Sequence, residues 1–480
     1  MRNMLAMVSQ QDGTLLRSVP LRSLNHVRRL NTRNRMPSAS LLEICTWAQS
    51  FAYDSLATNT IDKAKLCLID ALSASMSIGD KAESDAALAL VAGFGCGGAS
   101  VVIGTSLRTA PSLAAFVNGS AAAGTARSDT HEASASHPGS VVIPAALALA
   151  EVQNASGRAL IEAIVVGYEV HCRFGLALMD AGIATRFRPT GLIGPIGAAV
   201  ASSKLLHLDP VVAASAAGLA LNQMSGLNEW TLRGTSEHVL HSGIAARAGV
   251  ESALLAQAGV RSAPSLLEGP SGALAAYGAL SRLDRMQQPQ ASEAPAILGI
   301  QHKLAPACIF AQSPLQLAHK LGQALGDRVG QIDDIVASVS RQGYDYPGCN
   351  RKGPWVSSQA AKMSIRFAIA SVLVHGSVSD NNWSDTDNPA VAALAARIQL
   401  RALDTLPSTA AQLEIRLTDR SVVCASQDRV TSTTEVQIKT RFLQACGAKL
   451  GERVAADILR QLESLEQLGS LRPLCSSLAA

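Results

Sequence analysis

The chain has 480 residues, 48% hydrophobic, 16% charged and only 4% aromatic. That length allows two or three domains, and that apolar content can bury a large core while excluding long disorder. The apolar share is mostly Ala, Leu and Val, which suits close helix–helix packing through small side chains. No stretch reaches the ~18 uninterrupted apolar residues of a membrane helix, so a soluble protein with no membrane partner is expected. The net charge of +4 misleads. Residues 1–35 hold seven arginines and one acid, Asp12, and removing their six net positive charges leaves −2. A nearly neutral body gives no nucleic-acid footprint.

The basic segment, residues 1–37, is set apart from the fold. It reads as a disordered arm, as untranslated sequence before a start at Met36, or as an Arg-rich mitochondrial presequence. A cytoplasmic protein is expected, or a mitochondrial one on the last reading.

Ser38 or Ser40 can cap a first helix with Leu41, Ile44, Trp47 and Phe51 near helical spacing. A second helix is expected from about Asn59 to Ile78. Gly93 to Gly98 matches G-x-G-x-x-G, but a helix precedes it and the strand-like Ser100-Val101-Val102-Ile103 follows. That order is reversed for a dinucleotide fingerprint, so a glycine connector is expected. Residues 112–123, 141–152, 157–177, 191–206, 210–224 and 238–257 read as one packed helical domain. A Gly/Pro/Gln/Ser-rich boundary lies near 270–298. Beyond it the texture changes. Residues 332–341 alternate like a strand, 359–375 are helical, and 412–417 with 421–426 flank a turn as a hairpin. Residues 434–468 return to helix, with Glu435 and Lys439 at i,i+4 spacing. The expected fold class is mainly α: a helical domain (38–297), a smaller α+β lid (298–435) and helices returning to the first domain (436–472).

Nine scattered cysteines form no C-x-x-C pair and no Cys/His cluster with zinc spacing. Five polar groupings interrupt the apolar texture. Ser128-Asp129-Thr130-His131 with His137-Pro138-Gly139-Ser140 can present proton donors and acceptors between two apolar helices; a capping turn is the competing reading. Arg186 and Arg188 precede the Pro189-Thr190-Gly191 helix start, where guanidinium and helix N-terminus both favour carboxylates. His238 and His241 share a helix face, but no third metal ligand lies nearby in sequence, so no metal is expected. Lys303 precedes Pro306-Ala307-Cys308, a cation beside a turn. Tyr344-Asp345-Tyr346-Pro347-Gly348 is a turn suited to a ligand or to plain surface.

The order of these motifs resembles the MmgE/PrpD family. The matching pieces are Asp129-Thr130 with His137-Pro-Gly-Ser and Ile143-Pro144-Ala145-Ala146-Leu147; Gly167-Tyr168-Glu169-Val170; Pro189-Thr190-Gly191; Leu240-His241-Ser242-Gly243 with Ala245-Ala246-Arg247-Ala248-Gly249; and Lys303 with Pro306-Ala307-Cys308. The resemblance implies a cleft between a helical domain and a lid, a homodimer, no metal or organic cofactor, and a small di- or tricarboxylate as substrate. It implies a lyase, by dehydration or decarboxylation; an epimerase or isomerase on the same scaffold, or a non-catalytic carboxylate-binding relative, are the alternatives. Carried over by position, His137, Lys303 and Tyr344 (with Tyr346 as the other candidate tyrosine) are the catalytic residues. Asp129, Thr130, Arg188, His238 and His241 are the substrate-binding ones. The chain departs from the family pattern at Ala126, where an aspartate is usual, at Arg188 and Cys308 in place of histidines, and at His238 in place of a lysine.

Overall fold

A computed structural model describes residues 40–77, 82–94, 97–290 and 293–480. The basic segment, Ser38, Ile78, Gly95 and Cys96 lie outside the described residues. Helix α1 (Leu41–Ser50) starts at Ser40, whose hydroxyl accepts from the Glu43 N–H while the Glu43 carboxylate accepts from the Ser40 N–H. This reciprocal capping satisfies two backbone donors at the helix start. The second helix, α2, spans Thr58–Met76. Gly97 and Gly98 then lead into a two-residue antiparallel ladder, Ser100–Val101 with Arg108–Thr109.

Six further helices build the first core: α3 (Pro111–Gly124), α4 (Val142–Val152), α5 (Gly157–Leu178), α6 (Pro189–Leu205), α7 (Pro210–Leu221) and α8 (His238–Gln257). Asp209 caps α7, with Pro210 at its first turn. Small residues set the packing distance. A Cβ on Gly243 of α8 would sit 2.1 Å from the Phe116 carbonyl of α3, and one on Gly249 would sit 2.3 Å from Ala198 of α6. The alanine- and glycine-rich texture is therefore the means by which these backbones approach closely.

The second core lies in residues 305–430, joined by Ala135, Ala184 and Trp230 from the first half of the chain. It contains α9 (Ile309–Leu325), β1 (Ile332–Ser340), α10 (Ser358–Met363), α11 (Ile365–His375), β2 (Ile398–Leu403), β3 (Ala411–Leu417) and β4 (Val422–Gln427). The sheet order is β2-β1-β3-β4; β1 and β2 are parallel and the other pairs antiparallel. Alternate residues of β3 (Ala411, Leu413, Ile415, Leu417) are buried, the period-2 pattern of a sheet with one covered face. The expected strand and hairpin are thus present. The expected helix 359–375 is instead two helices. Ser364 takes an extended backbone and its hydroxyl caps α11 by accepting from the Phe367 N–H. Likewise the C-terminal helix breaks at Gly451 (φ +90°) into α12 (Glu435–Leu450) and α13 (Glu452–Glu463). Residues from Ile438 to Leu478 pack back onto the first core, and Lys439 pairs with Glu435 at 2.7 Å. Among the described residues no helix is long and apolar enough to cross a membrane.

Candidate active site

The loop between α3 and α4 carries the first polar grouping, and its side chains divide into two sets. Thr130 forms a backbone bridge with Gln301, N to O at 2.8 and 2.9 Å. That bridge ties the loop to the strand-like segment that leads into Lys303. Asp129 turns inward. Its carboxylate accepts from the Gly139 N–H at 2.8 Å and from the Tyr168 hydroxyl at 2.7 Å. The approach is tight: a Cβ at Gly139 would lie 2.7 Å from both Asp129 Oδ1 and the Tyr168 oxygen. The Thr130 hydroxyl lies 3.2 Å from His137 Nδ1. Asp129 and Thr130, expected to touch substrate, are buried; the Asp129 carboxylate is held by Gly139 and by Tyr168 of α5, and the Thr130 hydroxyl lies beside His137.

His137 is the residue that this scaffold presents. Its Nδ1 lies 2.9 Å from the Asp129 carbonyl, and its N–H donates to the Thr190 hydroxyl at 3.1 Å. A carbonyl can only accept, so Nδ1 carries the proton and Nε2 the lone pair. Burial, then the charges of Lys303 and Arg188, hold the imidazole well below its ordinary pKa. It is therefore neutral near pH 7, with Nε2 as the acceptor.

His137 opens onto a cavity of about 60 Å³ between the two cores. Arg188, His238, Lys303, Tyr346 and Lys362 share its wall, with Trp230, Ile309 and Phe310 as apolar sides. Arg188, Lys303 and Lys362 are only 6%, 3% and 8% exposed. Among the described residues no Asp or Glu lines the cavity. Burial lowers Arg188 to about 10 and, with Arg188 nearby, Lys303 to about 8. Lys303 Nζ donates to the Ala126 carbonyl at 3.3 Å, and Arg188 donates to the His238 carbonyl at 2.7 Å. The His238 ring stacks on Trp230 with centroids 3.7 Å apart. Burial and then Arg188 keep His238 well below its ordinary pKa. The wall thus gathers the buried cations Arg188 and Lys303 beside His137, which favours an anionic guest.

A larger cleft of about 570 Å³ opens nearby, where among the described lining residues two arginines stand with two aspartates. Arg127 there pairs with Asp380, and Arg441 lies 3.6 Å from Asp70.

Two expected residues fall elsewhere. Tyr344 does not line the cavity; its ring lies beneath the Arg341 guanidinium, 5.9 Å from the centroid. Tyr346, two residues on, is buried and takes the wall position, its oxygen accepting from Asn228 at 3.4 Å. The short helix Arg341–Asp345 ends between them, and the extended backbone of Tyr346 turns the second ring inward. His241 also lies off the wall, its Nδ1 packed 3.1 Å from where a Cβ of Gly226 would stand. Lys362 and Trp230 were missed in the sequence. Lys362 had a visible signal, a lone cation in the apolar run Ala360-Ala361-Lys362-Met363.

Backbone strain collects at the same place. Ala126 (φ +55°) and Ala135 (φ +48°) both line the cavity in the left-handed region. A non-glycine residue there costs roughly 1–2 kcal/mol, and Asn and Asp tolerate it better than Ala. Such conformations persist where the surroundings over-determine them, commonly at functional sites. An aspartate at position 126 would suit that backbone better than the alanine present.

Comparison with known proteins matches the model of the MmgE/PrpD N-terminal domain to residues 42–285 and that of the MmgE/PrpD C-terminal domain to residues 305–440. A cis-aconitate decarboxylase of Aspergillus terreus is 25% identical over 468 residues, covering 90% of this chain and 94% of the fungal protein. A cis-aconitate decarboxylase-like protein of Aspergillus oryzae is 34% identical over 225 residues, 45% of this chain and 46% of its own. The human cis-aconitate decarboxylase is 28% identical over 321 residues, 63% of this chain and 64% of its own.

Proposed function

Because the chain belongs to the MmgE/PrpD family, we propose that it is a lyase acting on a small di- or tricarboxylate, by dehydration or decarboxylation. The observation that carries this reading is the pair of buried cations, Arg188 and Lys303, that meet His137 on one cavity wall. The relatives named cis-aconitate decarboxylase support the same reaction class. Removing a proton or CO₂ beside a carboxylate leaves negative charge on the substrate, and preorganised buried cations stabilise it more strongly than water does. Arg188 and Lys362 hold carboxylates. Lys303, with its ammonium lowered to about 8, holds one and can return a proton near neutral pH. His137 Nε2 is the proton acceptor, aligned through Nδ1 by the Asp129 carbonyl and Thr130. Tyr346 closes the wall as a neutral hydrogen-bonding group, since burial pushes its hydroxyl pKa well up. Asp129 and Tyr168 act at one remove, by fixing the turn that aims His137.

The test is a turnover screen with 2-methylcitrate, citrate and cis-aconitate, following CO₂ release and formation of unsaturated product. Turnover of at least one of them is expected, lost in Lys303→Ala. Folded protein that neither turns over nor is thermally stabilised by any of these acids would overturn the proposal.

A further inference from the structure

Cys308 and Cys349 come from different elements, yet both are clamped to the α10–α11 segment. The Cys308 N–H donates to the Lys362 carbonyl at 2.8 Å, and the Cys349 carbonyl accepts from the Ile365 N–H at 3.0 Å. Gly348 (φ +87°) makes the turn that drops Cys349 into the core, with room for a Cβ barred by Met363 and the Thr231 carbonyl at 3.0 Å. These anchors leave the two sulfurs 3.7 Å apart, Cys349 donating to Cys308. Cys308 lines the charged cavity and is partly exposed; Cys349 is fully buried behind it.

We propose that Cys308 and Cys349 form an oxidation-sensitive pair, in which a water-sized peroxide entering the cavity attacks Cys308 and Cys349 resolves it as a disulfide. The geometry meets the demands of each step. The cavity of about 60 Å³ admits a molecule of this size, since a water needs only ~10–15 Å³ by the same measure. The sulfurs must close from 3.7 Å to about 2.05 Å, a movement shared by two side chains. The hydrogen bond from Cys349, together with the Lys303 charge, holds the Cys308 thiol below its ordinary pKa, and burial pushes Cys349 well above it. Cys308 is thus the attacking sulfur. Cys308 gives up its proton as its sulfur attacks one peroxide oxygen; the O–O bond breaks, the departing hydroxide takes up that Cys308 proton and leaves as water, and a sulfenic acid remains. The Cys349 sulfur then attacks that sulfur. The S–O bond breaks, and the departing hydroxide leaves as a second water with the Cys349 proton. Two thiols supply the two electrons that reduce one hydrogen peroxide to two waters.

Native full-length protein is treated with hydrogen peroxide, quenched with an alkylating agent, digested and read by mass spectrometry. A Cys308–Cys349 cross-linked peptide is expected, lighter than the reduced pair by two hydrogens (about 2 Da) and restored by dithiothreitol. It should form before the exposed Cys424 is oxidised. In Cys349→Ser the cross-link is lost and Cys308 is trapped by dimedone as a sulfenic acid; in Cys308→Ser, Cys349 stays reduced. The wild-type cross-link reports independently of whether either variant folds. Oxidation of Cys424 while both members of the pair stay reduced would overturn the proposal. So would oxidation of Cys308 to sulfinic acid without any cross-link in the wild type.

Discussion

Replacing Asp129 by alanine separates a positioning carboxylate from a substrate ligand. Asp129 accepts two buried hydrogen bonds, from the Gly139 N–H and the Tyr168 hydroxyl. Asp129→Ala strands both donors away from water, because Gly139 and Tyr168 are themselves buried. Each stranded buried donor costs roughly 1–3 kcal/mol, so the loss is about 2–6 kcal/mol of folding stability. Against the usual total of ~5–15 kcal/mol, that is a large fraction. Tyr168→Phe removes one donor but leaves the carboxylate bonded to Gly139, at a cost of roughly 1–3 kcal/mol. The double variant should cost less than the sum of the two, because once Tyr168 lacks its hydroxyl only Gly139 is stranded. Urea denaturation followed by circular dichroism measures all three. The outcome that would refute the reasoning is an Asp129→Ala protein within ~0.5 kcal/mol of the parent, with its defect confined to a raised KM. That pattern would mean the carboxylate faces substrate rather than the His137 turn.

The other predictions concern the cavity wall. His137→Ala and Lys303→Ala should each lower kcat/KM by ~10²-fold or more while leaving the denaturation midpoint close to the parent's; unchanged rates in both would move the site elsewhere. With Lys303 at about 8, kcat/KM for an anionic substrate should fall as pH rises above that value, and Lys303→Arg should lack that limb wherever activity remains. The stability effect has the opposite sign. Between about pH 8 and the ordinary lysine value of 10.5, the unfolded chain binds more protons at this residue than the folded one, so folding stability gains with rising pH; Lys303→Met should remove that gain in parallel denaturation series. Ala126→Gly should stabilise the fold by about 0.5–1 kcal/mol, the relief of a left-handed alanine offset by glycine's greater unfolded-state entropy; a destabilised variant would mean the strain is not borne by that backbone.

Much of this protein is determined by short-range sequence. The capping box at Ser40, the Asp209-Pro210 start, the alternation of β3 and the turn between β3 and β4 each follow from a few neighbouring residues, whose side chains meet their own backbone or one face of one element. The order of His137-Pro-Gly, Pro189-Thr-Gly and Lys303 likewise identified the family from the chain alone. What sequence could not decide is which side chain of a loop faces in. The resemblance set both Asp129 and His137 against the substrate, the first to bind it and the second to move a proton. Only contact with Tyr168, on another helix, commits the carboxylate to the interior and leaves the imidazole for the cavity. Tyr344 and Tyr346 are two residues apart, and the end of one short helix sends one ring beneath Arg341 and the other into the wall. The gathering of buried cations is a tertiary property too. Lys303 meets the Ala126 carbonyl across 177 residues, and Lys362 comes from a third segment. Periodicity and capping are written over a few turns of helix; a field inside a cavity is summed over every segment that lines it, so it exists only once the chain has folded.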